Sequence, residues 1–210
     1  AASDVYKRQY DYTSAYFAWT PTGKRWALWL GDYELNVAQG LLAGTNHYYS
    51  RLMLGTSLMR PPAAIRPHTS AAEAGFLRGA AARLQLGAWQ ITAFAAWQRI
   101  DGTLRGDTLT ALKTDGMHRT AGELERRRTA GRLTAGANAD FIQSTWHAGL
   151  TLVADRYDKT VWPPLRADNR YTLRGKDAAG VSAHYAWQTS RRINACLLYT
   201  SPSPRDPKTS

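Results

Sequence analysis

Strict alternation of apolar and polar residues constrains this chain more than any other feature. In Ala88–Gln98, AWQITAFAAWQ, one face carries Trp89, Ile91, Ala93, Ala95 and Trp97, and the other Gln90, Thr92, Phe94, Ala96 and Gln98. In Thr145–Tyr157, one face carries Trp146, Ala148, Leu150, Leu152 and Ala154; the other carries Thr145, His147, Gly149, Thr151, Val153, Asp155 and Tyr157. Val181–Gln188 sets Val181, Ala183, Tyr185 and Trp187 against Ser182, His184 and Gln188. A period of two is that of a β-strand, whose successive side chains leave opposite faces. Phe76–Leu86, Tyr10–Trp19 and Arg25–Tyr33 read as further strands, the first interrupted by Arg78. The expected class is all-β. No apolar run approaches the roughly 18 residues of a membrane helix; Trp26–Gly31 and Ala93–Trp97 are among the longest.

The two ends read differently. Asp4–Gln9, DVYKRQ, and Cys196–Ser201, CLLYTS, back-translate into reverse complements over about 18 nucleotides. That DNA resembles the transposon-end adapter of sequencing libraries, and the likeness continues through Pro202–Asp206. Residues 1–9 and 196–210 are therefore expected to be adapter-derived rather than native, leaving 10–195 as the folded unit. The trimmed unit has 23 basic and 14 acidic residues, net +9, and keeps all eight tryptophans. Its one cysteine, Cys196, goes with the tail, so no disulfide framework or cysteine metal site is expected.

Alternation alone does not say whether the apolar face meets a core or lipid. Three features point to lipid. Trp89 and Trp97 close one apolar stripe, eight steps or roughly 26 Å apart along a strand, close to the apolar band of about 25 Å in outer-membrane barrels. The stripes between the aromatics are rich in alanine, which fills a soluble core poorly. Long connections near 58–73, 100–130 and 158–170 alternate with short ones near Leu86–Ala88 and Asp140–Ser144, as in barrels with short periplasmic turns. The expectation is an antiparallel meander, about eight strands of a larger, incomplete transmembrane outer-membrane β-barrel. Trp89, Trp97, Trp146, Tyr185 and Trp187 form its lipid-facing girdle. Gln90, Thr92, Gln98, His147, Thr151, Asp155, Ser182 and His184 face the lumen. The alternative is a soluble all-β binding domain, a sandwich or lipocalin-like barrel.

The connections have content of their own. Thr120 and Glu123 have capping-box spacing, which predicts a short helix from Ala121 to about Arg128 in a long loop. Arg60–His68, RPPAAIRPH, has three prolines and is read as a loop rather than a regular strand or helix. Gly31, Gly40 and Gly44 mark bends or bulges, and Asp32, Glu34, Asn36 and Gln39 should turn to the lumen or rim.

Leu30–Gly44, LGDYELNVAQGLLAG; Thr69–Ala81, TSAAEAGFLRGAA; Trp89–Asp101, WQITAFAAWQRID; and Thr114–Glu125, TDGMHRTAGELE, together resemble a family of Gram-negative outer-membrane β-barrel proteins. That family carries a helix-hairpin-helix region ahead of the barrel. The resemblance implies an outer-membrane location in a Gram-negative cell and a channel, transporter or surface-assembly role. It also implies partners among outer-membrane lipid, lipopolysaccharide and other envelope proteins. A part in DNA uptake or binding is an alternative. The helix-hairpin-helix region lies outside these residues, so no nucleic-acid contact is placed on them.

No enzyme, cofactor or metal is expected. The histidines are His47, His68, His118, His147 and His184. Ser144 and Asp155 flank His147 without spacing that forces a triad, and no Gly-x-Ser-x-Gly elbow occurs. His118 with Asp115 and Glu123 has no diagnostic ligand spacing. The arginines are spread along the chain, where they suit lipid phosphates at a rim as well as nucleic acid.

Overall fold

The computed structural model describes residues 13–37, 42–45, 64–70, 75–113, 120–166, 173–190 and 193–201; at 64, 188–190 and 193–201 it describes the backbone. The fold is all-β. Its strands are β1 (Tyr16–Trp19), β2 (Trp26–Val37), β3 (Ala43–Gly44), β4 (Ala64–Pro67), β5 (Leu77–Leu86), β6 (Trp89–Arg105), β7 (Thr108–Lys113), β8 (Ala130–Ile142), β9 (Trp146–Val161), β10 (Gly175–Ser190) and β11 (Ile193–Ser201). They form one eleven-stranded sheet. The long strands pair antiparallel, β1 with β2, β2 with β5, β5 with β6, β6 with β8, β8 with β9, β9 with β10 and β10 with β11. β3 and β4 lie against the second half of β2.

The alternation fixes the two faces. On β6 the odd positions Trp89 to Trp97 are exposed while Gln90, Thr92, Phe94 and Ala96 are buried. On β9 and β10 the same split sets exposed Leu150, Leu152, Ala183 and Tyr185 against buried Thr151, Val153, Ser182 and His184. The inner face holds an apolar cluster of Trp29, Tyr33, Leu35, Val37, Ile65, Leu77, Phe94 and Val153. Each such side chain contributes about 1.5–3 kcal/mol when buried.

The sheet curls round this cluster. Tyr33 on β2 donates its hydroxyl to Ala80 O at 3.3 Å and Ala95 O at 3.2 Å, reaching across β5 to β6. A Cβ at Gly180 on β10 would stand 2.9 Å from Leu42 Cδ2, in the segment that follows β2. Yet β5, β6, β8 and β9 separate β2 from β10 along the sheet. Bare glycines let the inner face close: at Gly136 a Cβ would fall on the Phe94 ring. A second cluster, Leu109, Ala130, Tyr157 and Val161, is closed by the β6–β7 hairpin, which lays Leu109 against Gly102.

Several details differ from the sequence reading. The segment 100–130 is not one loop, because β6 runs to Arg105 and returns as β7, with Gly106 in the left-handed region (φ +62°) at the turn. β9 likewise continues to Val161. Ala64–Pro67 is a strand despite its proline: Pro67 sits at the strand end, where a missing amide donor costs least. The capping box forms, Glu123 N donating to Thr120 Oγ1 at 3.3 Å and Thr120 N to Glu123 Oε2 at 2.9 Å. The helix it starts, α1 (Ala121–Leu124), is shorter than expected. Its last turns tighten into i to i+3 bonds, Arg126 N to Glu123 O and Arg127 N to Leu124 O, and Arg128 turns left-handed at φ 52°. Gln39, Gly40, His47, Asp115 and His118 lie outside the described residues.

Candidate functional site

The outer face carries the first candidate. Registers align its side chains in rows across β2, β5, β6, β8, β9 and β10. One row reads Trp26, Leu84, Ile91, Ala139, Leu150, Ala183; the next Leu28, Ala82, Ala93, Ala137, Leu152, Val181; the next Leu30, Ala80, Ala95, Ala135, Ala154, Ala179. No charged side chain interrupts these rows, and the indole N–H of Trp26 is their one side-chain hydrogen-bonding group. At one end an aromatic row closes them, with rings running Trp89 to Phe141 at 5.0 Å, Phe141 to Trp146 at 5.4 Å and Trp146 to Tyr185 at 6.0 Å. At the other end the next row comes in two pieces, Asp32 with Arg78 and Trp97 with Leu133, Arg156 and Asp177, where charge returns. Six strands at about 4.8 Å and the three inner rows with their flanks, about 20 Å, make a projected patch of roughly 600 Å². Patches of that size mark interaction or membrane surfaces. The five aromatic residues expected in a girdle all belong to this face. Trp89, Trp97, Tyr185 and Trp187 are exposed by 48%, 60%, 42% and 40%, and Trp146 is half-buried.

The charged row is internally paired. Asp32, almost wholly buried, accepts from Arg78 Nε at 2.6 Å and Nη2 at 2.8 Å and from Ala15 N at 3.3 Å. Gly31 makes room for this: its φ is +91°, and a Cβ there would fall on Ala15 O of β1. Arg132 on the inner side pairs with Asp155 at 2.9 Å, which also takes the Thr134 hydroxyl. His68 Nδ1 lies 3.0 Å from Glu34 Oε1 and its ring stacks on Phe76. In the β6–β7 turn, a hydrogen bond and the charge of Lys159 hold the Asp107 carboxyl below the usual carboxylate range. Gly44 lies in β3 opposite Asn36.

The inner face carries the second candidate, a polar ladder. Gln90, Asp140, Gly149 and His184 form one row across β6, β8, β9 and β10; Thr92, Asn138, Thr151 and Ser182 form the next. Every side chain in these rows is at least nine-tenths buried. His184 Nε2 lies 3.2 Å from Asp140 Oδ1, meeting it over Gly149, where a Cβ would collide with both. Asn138 Nδ2 donates to Thr151 Oγ1 at 2.9 Å, with Asp140 Oδ1 and Leu150 O each at 3.4 Å. His147 extends the ladder, its ring 5.7 Å from His184.

No family model, curated protein or solved structure matches the chain.

Gln90, Thr92, Gln98, His147, Thr151, Asp155, Ser182 and His184 therefore share the inner face. Sequence reasoning missed Asn138, Asp140 and Thr134, which complete the ladder from β8. The signal was present: Arg132, Thr134, Asn138 and Asp140 alternate with Leu133, Ala135, Ala137, Ala139 and Phe141. Ser144 and Asp155 flank His147 in the sequence, but in the fold Asp155 is engaged by Arg132 and Thr134. Among the described residues no three His, Cys, Asp or Glu side chains form a group able to hold a metal ion. No helix among them is long and apolar enough to cross a membrane, which does not bear on a β-barrel.

Proposed function

We propose that this chain is part of the wall of a larger, non-enzymatic outer-membrane β-barrel, serving as a channel, transporter or surface-assembly component. One observation carries the reading: the charge-free outer belt between the aromatic row and the charged row. A soluble domain would need a second layer over that belt, whereas lipid covers alanine and leucine alike. The distance from Trp89 to Trp97, roughly 26 Å along β6, projects to roughly 20 Å at the tilt of about 35–45° of such strands, on the scale of their apolar band of about 25 Å. Arg78, Arg156 and the arginines beyond α1 then stand at the headgroup level, where guanidinium groups suit the phosphates of lipopolysaccharide. The polar ladder lines the interior. β1 and β11 each pair on one side among the described residues, so closure takes further strands or their mutual pairing.

The test is membrane fractionation of the expressed protein, followed by electrophoresis with and without boiling. A folded barrel stays with outer membranes and changes mobility on heating. Recovery in the soluble fraction after refolding without detergent would sink the reading.

A further inference from the structure

The polar ladder leaves atoms unsatisfied in a pattern. Thr92 Oγ1, Asn138 Oδ1 and Asp140 Oδ2 are buried and have no hydrogen-bond partner, and toward β9 and β10 the same holds for His147 Nε2, Ser182 Oγ and His184 Nδ1. Thr92, Asn138 and Asp140 are 0%, 1% and 0% exposed. Three facts aim these oxygens at one place. Thr92 and Asn138 are direct register partners on β6 and β8, and Asp140 lies two residues along β8 on the same face. The Asn138 amide nitrogen is fixed on the β9 side, because Thr151 Oγ1, Asp140 Oδ1 and Leu150 O surround it and the last two only accept. That turns Oδ1 toward β6. The Asp140 Oδ1 is engaged by His184 on the β10 side, which leaves Oδ2 on the β6 side as well.

A carboxylate, an amide carbonyl and a hydroxyl thus share the β6–β8 seam. Buried acceptors left bare are costly, a charged one most of all. Hard cations bind this donor set, at about 2.3–2.6 Å from each oxygen for calcium. Softer transition metals prefer imidazole and thiolate, and no cluster of such ligands occurs among the described residues.

We propose that Thr92, Asn138 and Asp140 form a site for a hard cation, Ca²⁺ or Na⁺, that ties β6 to β8. Gly149 is part of the device, because only a bare α-carbon lets His184 hold the far oxygen of Asp140. The site does not rest on the outer belt meeting lipid; the seam is the same in a soluble domain.

The experiment is Tb³⁺ luminescence, sensitised by tryptophan, on the full chain in lipopolysaccharide-free detergent. Saturable one-to-one emission is expected, displaced by Ca²⁺ if calcium is the occupant, or by Na⁺ but not choline at equal ionic strength if sodium is. Asp140→Asn should abolish it, and Thr92→Val should weaken binding roughly tenfold. Should Asp140→Asn fail to fold, Thr92→Val decides, since it keeps the side-chain shape. Emission that is absent, or unchanged in the folded variants, would overturn the site and leave a buried water as the occupant of the seam.

Discussion

Ala93 is the place to test the outer belt. It lies midway between Trp89 and Trp97, and its register partners are Ala82 and Ala137, so a long side chain there meets no bulky neighbour across the strands. In a bilayer Ala93 would sit near the midplane. An arginine there costs about 2–4 kcal/mol on the lipid face of a barrel. In water the same exposed site tolerates substitution within about 0.5 kcal/mol. The two readings thus differ by a factor of roughly 10 to 300 in the unfolding equilibrium. Leu112→Arg is the control, an exposed position on β7 beyond the charged row. The assay is denaturant unfolding in phospholipid vesicles, read by tryptophan fluorescence. Ala93→Arg should lose about 2–4 kcal/mol and Leu112→Arg less than 1. Equal and small losses at both sites would refute the argument that the belt faces hydrocarbon.

Three further outcomes follow from the packing. Arg78→Ala leaves the buried Asp32 carboxylate with the Ser14 hydroxyl and the Ala15 amide but no countercharge; because Arg78 is itself half-exposed, the loss should be about 1–3 kcal/mol, seen in thermal unfolding. Tyr33→Phe removes the hydroxyl that bridges Ala80 O and Ala95 O and should cost about 1 kcal/mol by the same measurement. Gly149→Ala should cost about 1–3 kcal/mol and part His184 from Asp140, with the histidine ring resonances shifting in NMR spectra.

How far the sequence could be read depends on which contacts a single strand contains. β6, β9 and β10 were legible because their inner and outer faces alternate without a break over the belt. β8 alternates as well, yet Gly131 and Gly136 dilute its pattern. The Asp140–His184 contact was not legible at all. It needs β8, β9 and β10 in one register, with Gly149 vacant between them, and register is set by pairing rather than by any one strand. The length of α1 was missed for a local reason. A capping box says where a helix begins, but nothing in the sequence told that Arg128 would turn left-handed.

β11 raises a separate question. Cys196–Ser201 pairs with β10, opposite Ala186–Val181, although the nucleotide reading assigns those six residues to an adapter. Pairing does not decide between the two. An open sheet edge presents unpaired amides and carbonyls to any extended segment, and main-chain bonds do not discriminate by side chain. CLLYTS is apolar enough to extend, and only two residues separate β10 from β11 in the sequence. The deciding measurement is on DNA: long-read sequencing of the source across the junctions Gln9/Tyr10 and Ala195/Cys196. The expected result is a reading frame that departs from this sequence at both junctions and continues in alternating strands, so that the native neighbour of β10 is a different segment. Native DNA encoding DVYKRQ and CLLYTS in place would refute the adapter reading and make β11 the chain's own strand.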